Sequence, residues 1–86
     1  MLSGKVALVT GCNRGIGKSI LEKFAENGAV VYANARSVGC LDDIAQELSQ
    51  KYSTKIIPVY FDVTNNSAIK GCFEKIRNEE NRLDIL

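Results

Sequence analysis

The sequence predicts an α/β fold built on a doubly wound parallel sheet. Short apolar runs without polar alternation alternate along the chain with segments of helical periodicity, and a glycine-rich turn joins the first run to the first helix. Unbroken apolar runs are typical of parallel strands that helices cover on both faces. Right-handed connections between such strands predict the order 3-2-1, with a fourth strand on the other side of the first.

The first strand and the turn after it are the most informative part of the chain. Val6–Val9 is entirely apolar, so we expect a strand in the centre of the sheet. Gly11, Gly15 and Gly17 follow it, and glycines in such a turn allow the backbone to reverse and to approach a ligand closely. Because the first N–H groups and the dipole of the next helix face this turn, it predicts an anion site suited to a pyrophosphate.

Two helices and the second strand follow from periodicity and turn signals. The first helix is expected to run to about Asn27, where Gly28 ends it, and the second strand should span residues 29–34. The second helix should fade near Tyr52. Helical spacing places on the buried faces Ile16, Ile20, Leu21 and Phe24 in the first helix and Leu41, Ile44, Ala45 and Leu48 in the second.

The last part of the chain predicts a third strand, a third helix and the start of a fourth strand. Residues 55–61 form the third strand, and Pro58 cannot donate to neighbours on both sides, which places this strand at the sheet edge. Thr64 or Asn65 should cap the third helix, and Leu83 should begin the fourth strand. The third helix should bury Ile69, Cys72, Phe73 and Ile76.

The length of 86 residues is short for a sheet that needs helices on both faces. Residues 83–86 begin an apolar strand without a closing turn, cap or polar tail, so we expect the native chain to continue for roughly 150 residues or more. No linker or repeat interrupts the alternation of strands and helices. We therefore interpret residues 1–86 as the N-terminal dinucleotide-binding part of a single domain that is incomplete here.

Composition argues against several classes of partner. The net charge is +1, and the 11 basic residues are scattered among 10 acidic ones, so no face favours nucleic acid or an anionic membrane. No apolar run approaches the roughly 18 residues of a membrane span, and residues 1–5 lack the apolar core of a signal peptide. We therefore expect a cytoplasmic protein.

The three cysteines, Cys12, Cys40 and Cys72, are odd in number, far apart and accompanied by no histidine. This pattern argues against a disulfide framework and against a zinc site. We expect all three to be small reduced fillers, and we expect no metal. Cys12 has an alternative role, because it would be reactive if the N-terminus of the first helix stabilised its thiolate.

The segment TGCNRGIG at residues 10–17 has the spacing G-x-x-x-G-x-G and resembles the cofactor-binding motif of the short-chain dehydrogenase/reductase family. The resemblance covers all 86 residues, is closest to bacterial 3-oxoacyl-acyl-carrier-protein reductases, and implies a Rossmann-type sheet. One alternative is a plain structural turn without a ligand. Another is a phosphate-binding P-loop that ends in Gly17 and Lys18, but Cys12 stands where its first glycine belongs.

Polar residues gather at the carboxyl ends of the predicted strands, where this fold has its ligand crevice. They are Thr10, Asn13, Arg14, Arg36, Asp62 and Val63. The resemblance implies cofactor binding by the motif residues Gly11, Asn13, Arg14, Gly15, Ile16 and Gly17. It also implies that Asn13 faces the adenine ribose and that Asp62 and Val63 contact the adenine. The alternative for Asp62 is a carboxylate that caps the next turn.

The end of the second strand predicts the choice of cofactor. A nicotinamide cofactor with a free 2′-hydroxyl usually meets a carboxylate near this position. The chain has Asn34, Ala35 and Arg36 there. Arg14 in the turn and Arg36 after the strand would instead bind a 2′-phosphate, which favours NADP over NAD. The alternative is that each arginine is an ordinary solvated surface residue.

The resemblance implies that the complete protein transfers a hydride between NADPH and the carbonyl of a small or acyl-carrier-bound substrate, as in fatty acid biosynthesis. It also implies a homo-oligomer, either a dimer or a tetramer. In the family a catalytic Ser, Tyr and Lys follow the present segment, and Tyr32, Tyr52 and Tyr60 have no lysine four residues later. We therefore assign no catalytic residue. Two other functions stay open, a nucleotide-binding half-domain without catalysis and a P-loop nucleotide kinase or ATPase.

Overall fold

The computed structural model describes residues 4–83, in which strands and helices alternate strictly. In chain order the elements are β1 (Val6–Val9), α1 (Gly15–Glu26), β2 (Val30–Ala35), α2 (Asp42–Tyr52), β3 (Ile56–Tyr60) and α3 (Asn66–Glu80). The strands form one parallel sheet in the order β1-β2-β3, which confirms the α/β class and the 3-2-1 part of the predicted order. Within the described residues β1 lies at a sheet edge and not in the centre. Leu83 is in no strand, and the rest of the predicted fourth strand lies outside the described residues.

Different helices cover the two faces of the sheet. Val31 and Ala33 of β2 pack in one core cluster with residues of α1 and α2 such as Leu21 and Leu48. Tyr32, which lies between them in the strand, packs on the opposite face with Ile76 of α3. This alternation gives the sheet a helical layer on each face, as a parallel sheet requires. No helix within residues 4–83 has the length and apolar character needed to cross a membrane.

The buried face of α1 differs from the predicted one. Leu21 and Ala25 are fully buried, and Phe24 packs against the same core. Ile16 and Ile20 are 81% and 39% exposed, so the prediction that they are buried is wrong. The reason is that α1 packs on β1, β2 and α2, and the side of the helix that carries Leu21 and Ala25 makes these contacts.

The predicted buried face is confirmed for α2 and in part for α3. α2 buries Ala45 and Leu48. α3 buries Cys72 and Ile76, which lie four residues apart on the side that faces the sheet. Ile69 is only half-buried and Phe73 is 36% exposed, so their predicted burial is wrong. Both line an open depression beside Leu8 of β1, and the described residues leave this depression uncovered.

Backbone hydrogen bonds define the boundary between α1 and β2. Gly28 adopts φ +87° after the end of α1, and its N–H donates to Ala25 O at 3.0 Å. Ala29 N–H donates to Phe24 O, also at 3.0 Å. The two bonds form a Schellman motif, so the predicted stop at Gly28 is confirmed. Because the helix end uses Ala29 N–H, β2 begins at Val30, one residue later than predicted.

β3 is an edge strand of the described sheet, as Pro58 predicts, and is one residue shorter at each end than expected. Lys55 O accepts from Val31 N–H at 2.9 Å. Phe61 N–H donates to Ala35 O at 3.1 Å. The backbone N–H and C=O groups of the odd-numbered residues in this segment therefore point toward β2. The Pro58 nitrogen points to the open edge, where it interrupts no hydrogen bond to the neighbouring strand.

A polar cluster fastens the C-terminal end of α3 to the sheet. The hydroxyl of Tyr32, which is fully buried, lies 2.6 Å from Glu79 Oε1 and 2.8 Å from Glu80 Oε2. Lys55 forms an ion pair with Glu80. Burial and the two carboxylates raise the pKa of Tyr32, whereas the hydrogen bond from Lys55 lowers the pKa of Glu80. The cluster thus holds Glu80 ionised and joins α3 to β2 and to the chain that enters β3.

We expect Glu80→Gln to remove a pH-dependent part of the stability. Because the folded-state pKa of Glu80 lies below its ordinary value of 4.5, the contribution is complete above that pH and is lost as the pH falls through the folded-state value. Urea unfolding of wild type and variant should therefore differ by about 0.5–1.5 kcal/mol near neutral pH and by less in acid. Glu47→Gln on the exposed side of α2 is the control. A difference that stays constant with pH would contradict this assignment.

Candidate functional site

The turn between β1 and α1 presents the N-terminus of α1 without a side-chain cap. Gly11 adopts φ +64°, in the left-handed region that favours glycine. Arg14 is the N-cap residue in an extended conformation, and its side chain makes no capping hydrogen bond. No acidic residue lies in the first turn of α1. The leading N–H groups and the helix dipole therefore favour an external acceptor that carries negative charge.

Gly17 sets the close contact between α1 and this turn. A Cβ at position 17 would lie 2.2 Å from Gly11 O and 2.7 Å from Gly11 C, both of which are backbone atoms. The protein itself therefore excludes a side chain at this position. At Gly15 a Cβ would meet no atom of the described residues within 4 Å, so the fold does not require glycine there. The open space at Gly15 permits a ligand to approach the backbone closely.

Cys12 anchors the turn to the sheet. It is fully buried, its N–H donates to Asn34 O at 2.9 Å, and its thiol donates to Val9 O at 3.0 Å. Burial raises the pKa of Cys12 to about 11, and a fully buried thiol that donates to Val9 O fits the filler role and not the reactive thiolate. Cys72 is also buried and free, as expected of a filler. Cys40 is exposed, so the filler prediction is wrong for that residue.

Asn34 joins the carboxyl ends of β2 and β3. This residue is 1% exposed, and its Nδ2 donates to Val59 O at 3.2 Å and to Phe61 O at 3.1 Å. Its backbone oxygen accepts from Cys12, so one residue contacts the chain on both sides of β2. In the sequence, this position is notable only because it carries no carboxylate for the ribose of NAD. Its role in joining the strands was missed, since no periodic pattern signals a buried amide.

A cleft of about 580 Å³ opens at the carboxyl ends of the strands. It is lined by Thr10, Gly11, Asn13, Arg14, Asn34, Ala35, Arg36, Ser37 and Val63. The volume is typical of small-molecule sites, and the charged residues in this lining are both arginines. Residues 4–83 contain no cluster of three or more His, Cys, Asp or Glu side chains that would hold a metal ion. The cleft suits an anionic ligand of nucleotide size.

The structure brings most of the predicted residues to one place. Around the cleft lie the predicted Gly11, Asn13, Arg14, Arg36 and Val63. Gly15 and Ile16 line a second, apolar depression along α1, and Gly17 supports the turn from inside the helix. Ser37 lines the cleft but was not predicted, because a single serine after Arg36 carries no distinctive pattern.

Asp62 lies beside the cleft and orders the turn that follows β3. Its Oδ1 accepts from Thr64 N–H at 2.9 Å and from the Thr64 hydroxyl at 2.7 Å, and its Oδ2 lies 3.8 Å from Arg36 Nε. The hydrogen bonds from Thr64 lower the pKa of Asp62, and the charge of Arg36 adds to the effect. The turn role that was the alternative for Asp62 is therefore present, and the adenine contact stays a prediction. Asn65 is the cap of α3, since its Oδ1 accepts from Ala68 N–H at 3.1 Å.

Comparison with known sequences identifies a family. Residues 5–86 match the family described as short chain dehydrogenase. The chain is 39% identical over 85 residues to a 3-oxoacyl-[acyl-carrier-protein] reductase of Aquifex aeolicus, in a match that covers 99% of the chain and 34% of the relative. It is also 39% identical over 88 residues to a 7alpha-hydroxysteroid dehydrogenase of Paraclostridium sordellii, with 99% and 32% covered. The chain thus spans about a third of the length of these curated relatives.

Solved structures show the same fold. The crystal structure of L-sorbose reductase from Gluconobacter frateurii, complexed with NADPH and L-sorbose, has a TM-score of 0.89 and 34% identity and covers 98% of the chain and 32% of that protein. A metagenomic short-chain oxidoreductase in complex with NADP has a TM-score of 0.91 and 33% identity, with 99% and 38% covered. Both likenesses extend over nearly the whole of the present chain.

We expect Gly17→Ala to destabilise the protein and Gly15→Ala to leave its stability nearly unchanged. A methyl group at position 17 would overlap the backbone of Gly11, and overpacking of this kind typically costs about 1–3 kcal/mol. A methyl group at position 15 would enter open space. The free energy of unfolding in urea measures both effects. Equal losses in the two variants would show that the Gly17 contact has no special importance.

Proposed function

The chain belongs to the short-chain dehydrogenase family, and we propose that it forms the NADP-binding part of an oxidoreductase that transfers a hydride between NADPH and a carbonyl or hydroxyl substrate. The observation that carries this proposal is the cleft whose charged lining residues are Arg14 and Arg36. Two structural relatives support it, since the Gluconobacter reductase holds NADPH and the metagenomic oxidoreductase holds NADP. The family match also argues against the P-loop alternative. Cys12 stands where a P-loop requires its first glycine.

The two arginines account for the choice of NADP over NAD. Arg14 stands at the start of α1 and Arg36 directly follows β2, so two different elements bring guanidinium groups to one cleft. A guanidinium forms charge-assisted, bidentate hydrogen bonds with phosphate. Ala35 ends β2 and Arg36 follows it, at the place where a carboxylate would serve the ribose hydroxyls of NAD. Ser37 adds a hydroxyl to the same lining.

The other predicted residues have separate roles in this proposal. The uncapped N–H groups of Gly15 and Ile16 at the start of α1 bind the pyrophosphate, which reaches them through the open space beside Gly15. Gly11 and Gly17 keep the turn in the shape that this contact needs. Three further residues contact the adenosine, Asn13 at the ribose and Asp62 and Val63 at the adenine.

NADPH, when bound, supplies the hydride, and the present residues bind and orient it. We propose a 3-oxoacyl group on an acyl carrier protein as the substrate, which the 39% identity to the Aquifex reductase supports. The hydroxysteroid dehydrogenase of Paraclostridium is 39% identical as well and makes a steroid alcohol the second candidate. We also propose that the complete protein is a cytoplasmic homo-oligomer.

Residues 1–86 constitute, in this proposal, the N-terminal dinucleotide-binding part of a single Rossmann-type domain. The relatives are about three times as long, and β1 lies at an edge of the described sheet, where a further parallel strand would pair. The alternative of a half-domain that binds nucleotide without catalysis would hold if the native protein bound NADP but reduced no carbonyl compound.

We expect the 86-residue chain alone to reduce no ketone. It contains no tyrosine with a lysine four residues later, the pair that would protonate the forming alkoxide in this proposal. The measurement is the loss of NADPH absorbance in the presence of a 3-oxoacyl substrate and of a steroid ketone. Circular dichroism of the same sample shows whether the chain is folded. Turnover above the protein-free rate would place the chemistry within these residues.

We expect Arg36→Asp to reverse the cofactor preference of the full-length protein. Each charge-assisted contact to the 2′-phosphate is worth roughly 1.5–3 kcal/mol before screening, so the loss of one contact should weaken NADP binding about tenfold to a hundredfold. The new carboxylate would also repel the phosphate of NADP and accept hydrogen bonds from the ribose hydroxyls of NAD. Dissociation constants for both cofactors at one fixed salt concentration measure the change.

Arg77→Asp is the matched control, because Arg77 is an exposed residue of α3 that does not line the cleft. It should leave the ratio of the two dissociation constants unchanged. A wild-type protein that prefers NAD, or an unchanged ratio in Arg36→Asp, would show that Arg36 does not contact the phosphate.

A further inference from the structure

An ion pair joins Arg36, which lines the cleft, to Asp62 in the turn after β3. Arg36 follows β2, and Asp62 follows the neighbouring β3. Asp62 Oδ2 lies 3.8 Å from Arg36 Nε, and the two side chains are 78% and 45% exposed. Exposed pairs of this kind usually contribute little to stability. The geometry around this pair suggests that its effect lies in where it holds the guanidinium.

The carboxylate of Asp62 is fixed before it meets Arg36. Its Oδ1 accepts two hydrogen bonds from Thr64, one from the backbone N–H at 2.9 Å and one from the hydroxyl at 2.7 Å. Asn65 N–H donates to the backbone oxygen of Asp62 at 2.9 Å, which closes the same turn. With Oδ1 engaged on the side of Thr64, Oδ2 is the oxygen directed at Arg36. The negative charge thus has one preferred place and does not swing freely.

The atom of Arg36 that faces Asp62 leaves the end of the guanidinium available. The nearest contact is made by Nε, on the side of the planar group. The two terminal nitrogens form a separate edge that carries most of the N–H donors and matches two oxygens of a phosphate. An arginine held through Nε therefore presents its terminal edge with fewer conformations left to lose when a phosphate binds.

We propose that Asp62 is a positioning residue that sets the NADP preference by holding Arg36 through Nε, so that its terminal nitrogens face the 2′-phosphate. This rests on the proposed function, in which Arg36 contacts that phosphate. Asp62 does not contact the phosphate and acts only through Arg36. Thr64 belongs to the same arrangement, because its two hydrogen bonds engage Oδ1 and leave Oδ2 directed at Arg36.

The test is a double-mutant cycle on the full-length protein with NADP and NAD as probes. Asp62→Asn removes the charge but keeps an oxygen that accepts from Thr64, so the turn is preserved. The preference for NADP is expressed as the dissociation constant for NAD divided by that for NADP. Asp62→Asn should lower this ratio by about twofold to fivefold, the range of an exposed ion pair. In the Arg36→Gln background the same change should leave the ratio unaltered. A contact between Asp62 and the adenine is common to both cofactors and cancels in the ratio.

Thr64→Val supplies an independent second variant. It keeps the Asp62 charge and the backbone bond but removes the hydroxyl bond, so it should lower the ratio in the same direction by a smaller factor. Arg36→Lys should abolish the effect of Asp62→Asn, because an ammonium group has no separate side and end nitrogens.

Each outcome of the cycle has a distinct meaning. If Arg36→Gln alone leaves the ratio unchanged, Arg36 is not at the phosphate and both the proposed function of Arg36 and the positioning role fail. If Arg36→Gln lowers the ratio but Asp62→Asn does not, the phosphate contact stands and the positioning role is overturned. A rise of the ratio in Asp62→Asn would overturn it as well, since it would show that the carboxylate mainly repels the phosphate.

Discussion

The absence of a side chain at Gly17 is the constraint on which the rest of the described structure depends. It allows α1 to begin directly against the backbone of Gly11, at a distance that a methyl group would forbid. The helix start then stands at the end of β1 with Arg14 as its cap residue. The same placement lets Leu21 and Ala25 reach the core. One close backbone contact thus determines both how the first helix packs and which way its N-terminus faces.

The cleft combines a buried framework with exposed groups that would meet a ligand. Parallel strands bring their carboxyl ends to one edge of the sheet, and the backbone and side chain of Asn34 connect those ends. Cys12 completes this framework from the side of β1. Arg14 and Arg36, by contrast, are exposed and contribute little to the core. Changes to the arginines should therefore alter binding with little effect on folding, whereas changes to the framework should affect both.

Patterns that depend on local backbone chemistry could be predicted from the sequence. The glycine spacing, the helix stop at Gly28 and the edge strand at Pro58 are set by allowed dihedral angles or by a missing donor, which are properties of single residues. Burial was less predictable, as Ile16 and Ile20 show. Periodicity finds an apolar face, but which part of it is covered depends on the elements that pack there.

Side-chain hydrogen bonds were the hardest features to foresee. Asn34 donates to β3 because the tertiary fold places two carbonyl oxygens beside it, and no local pattern records that neighbourhood. From the sequence, a turn and a ligand contact are both open to Asp62, since one carboxylate serves equally well in either role. The glycine motif located the cleft, but the contacts that shape its second side came from residues distant in the chain.

β1 and β3, the two outer strands of the described sheet, each lead into one side of the cleft. β3 pairs only with β2 among the described strands, so a local unfolding event that detaches it breaks one ladder and the bonds from Asn34. Asp62 and Val63 would leave with the strand, while the glycine turn would keep its place on β1. A ligand that spans both sides of the cleft would therefore suppress this opening, and hydrogen exchange in β3 would slow on binding.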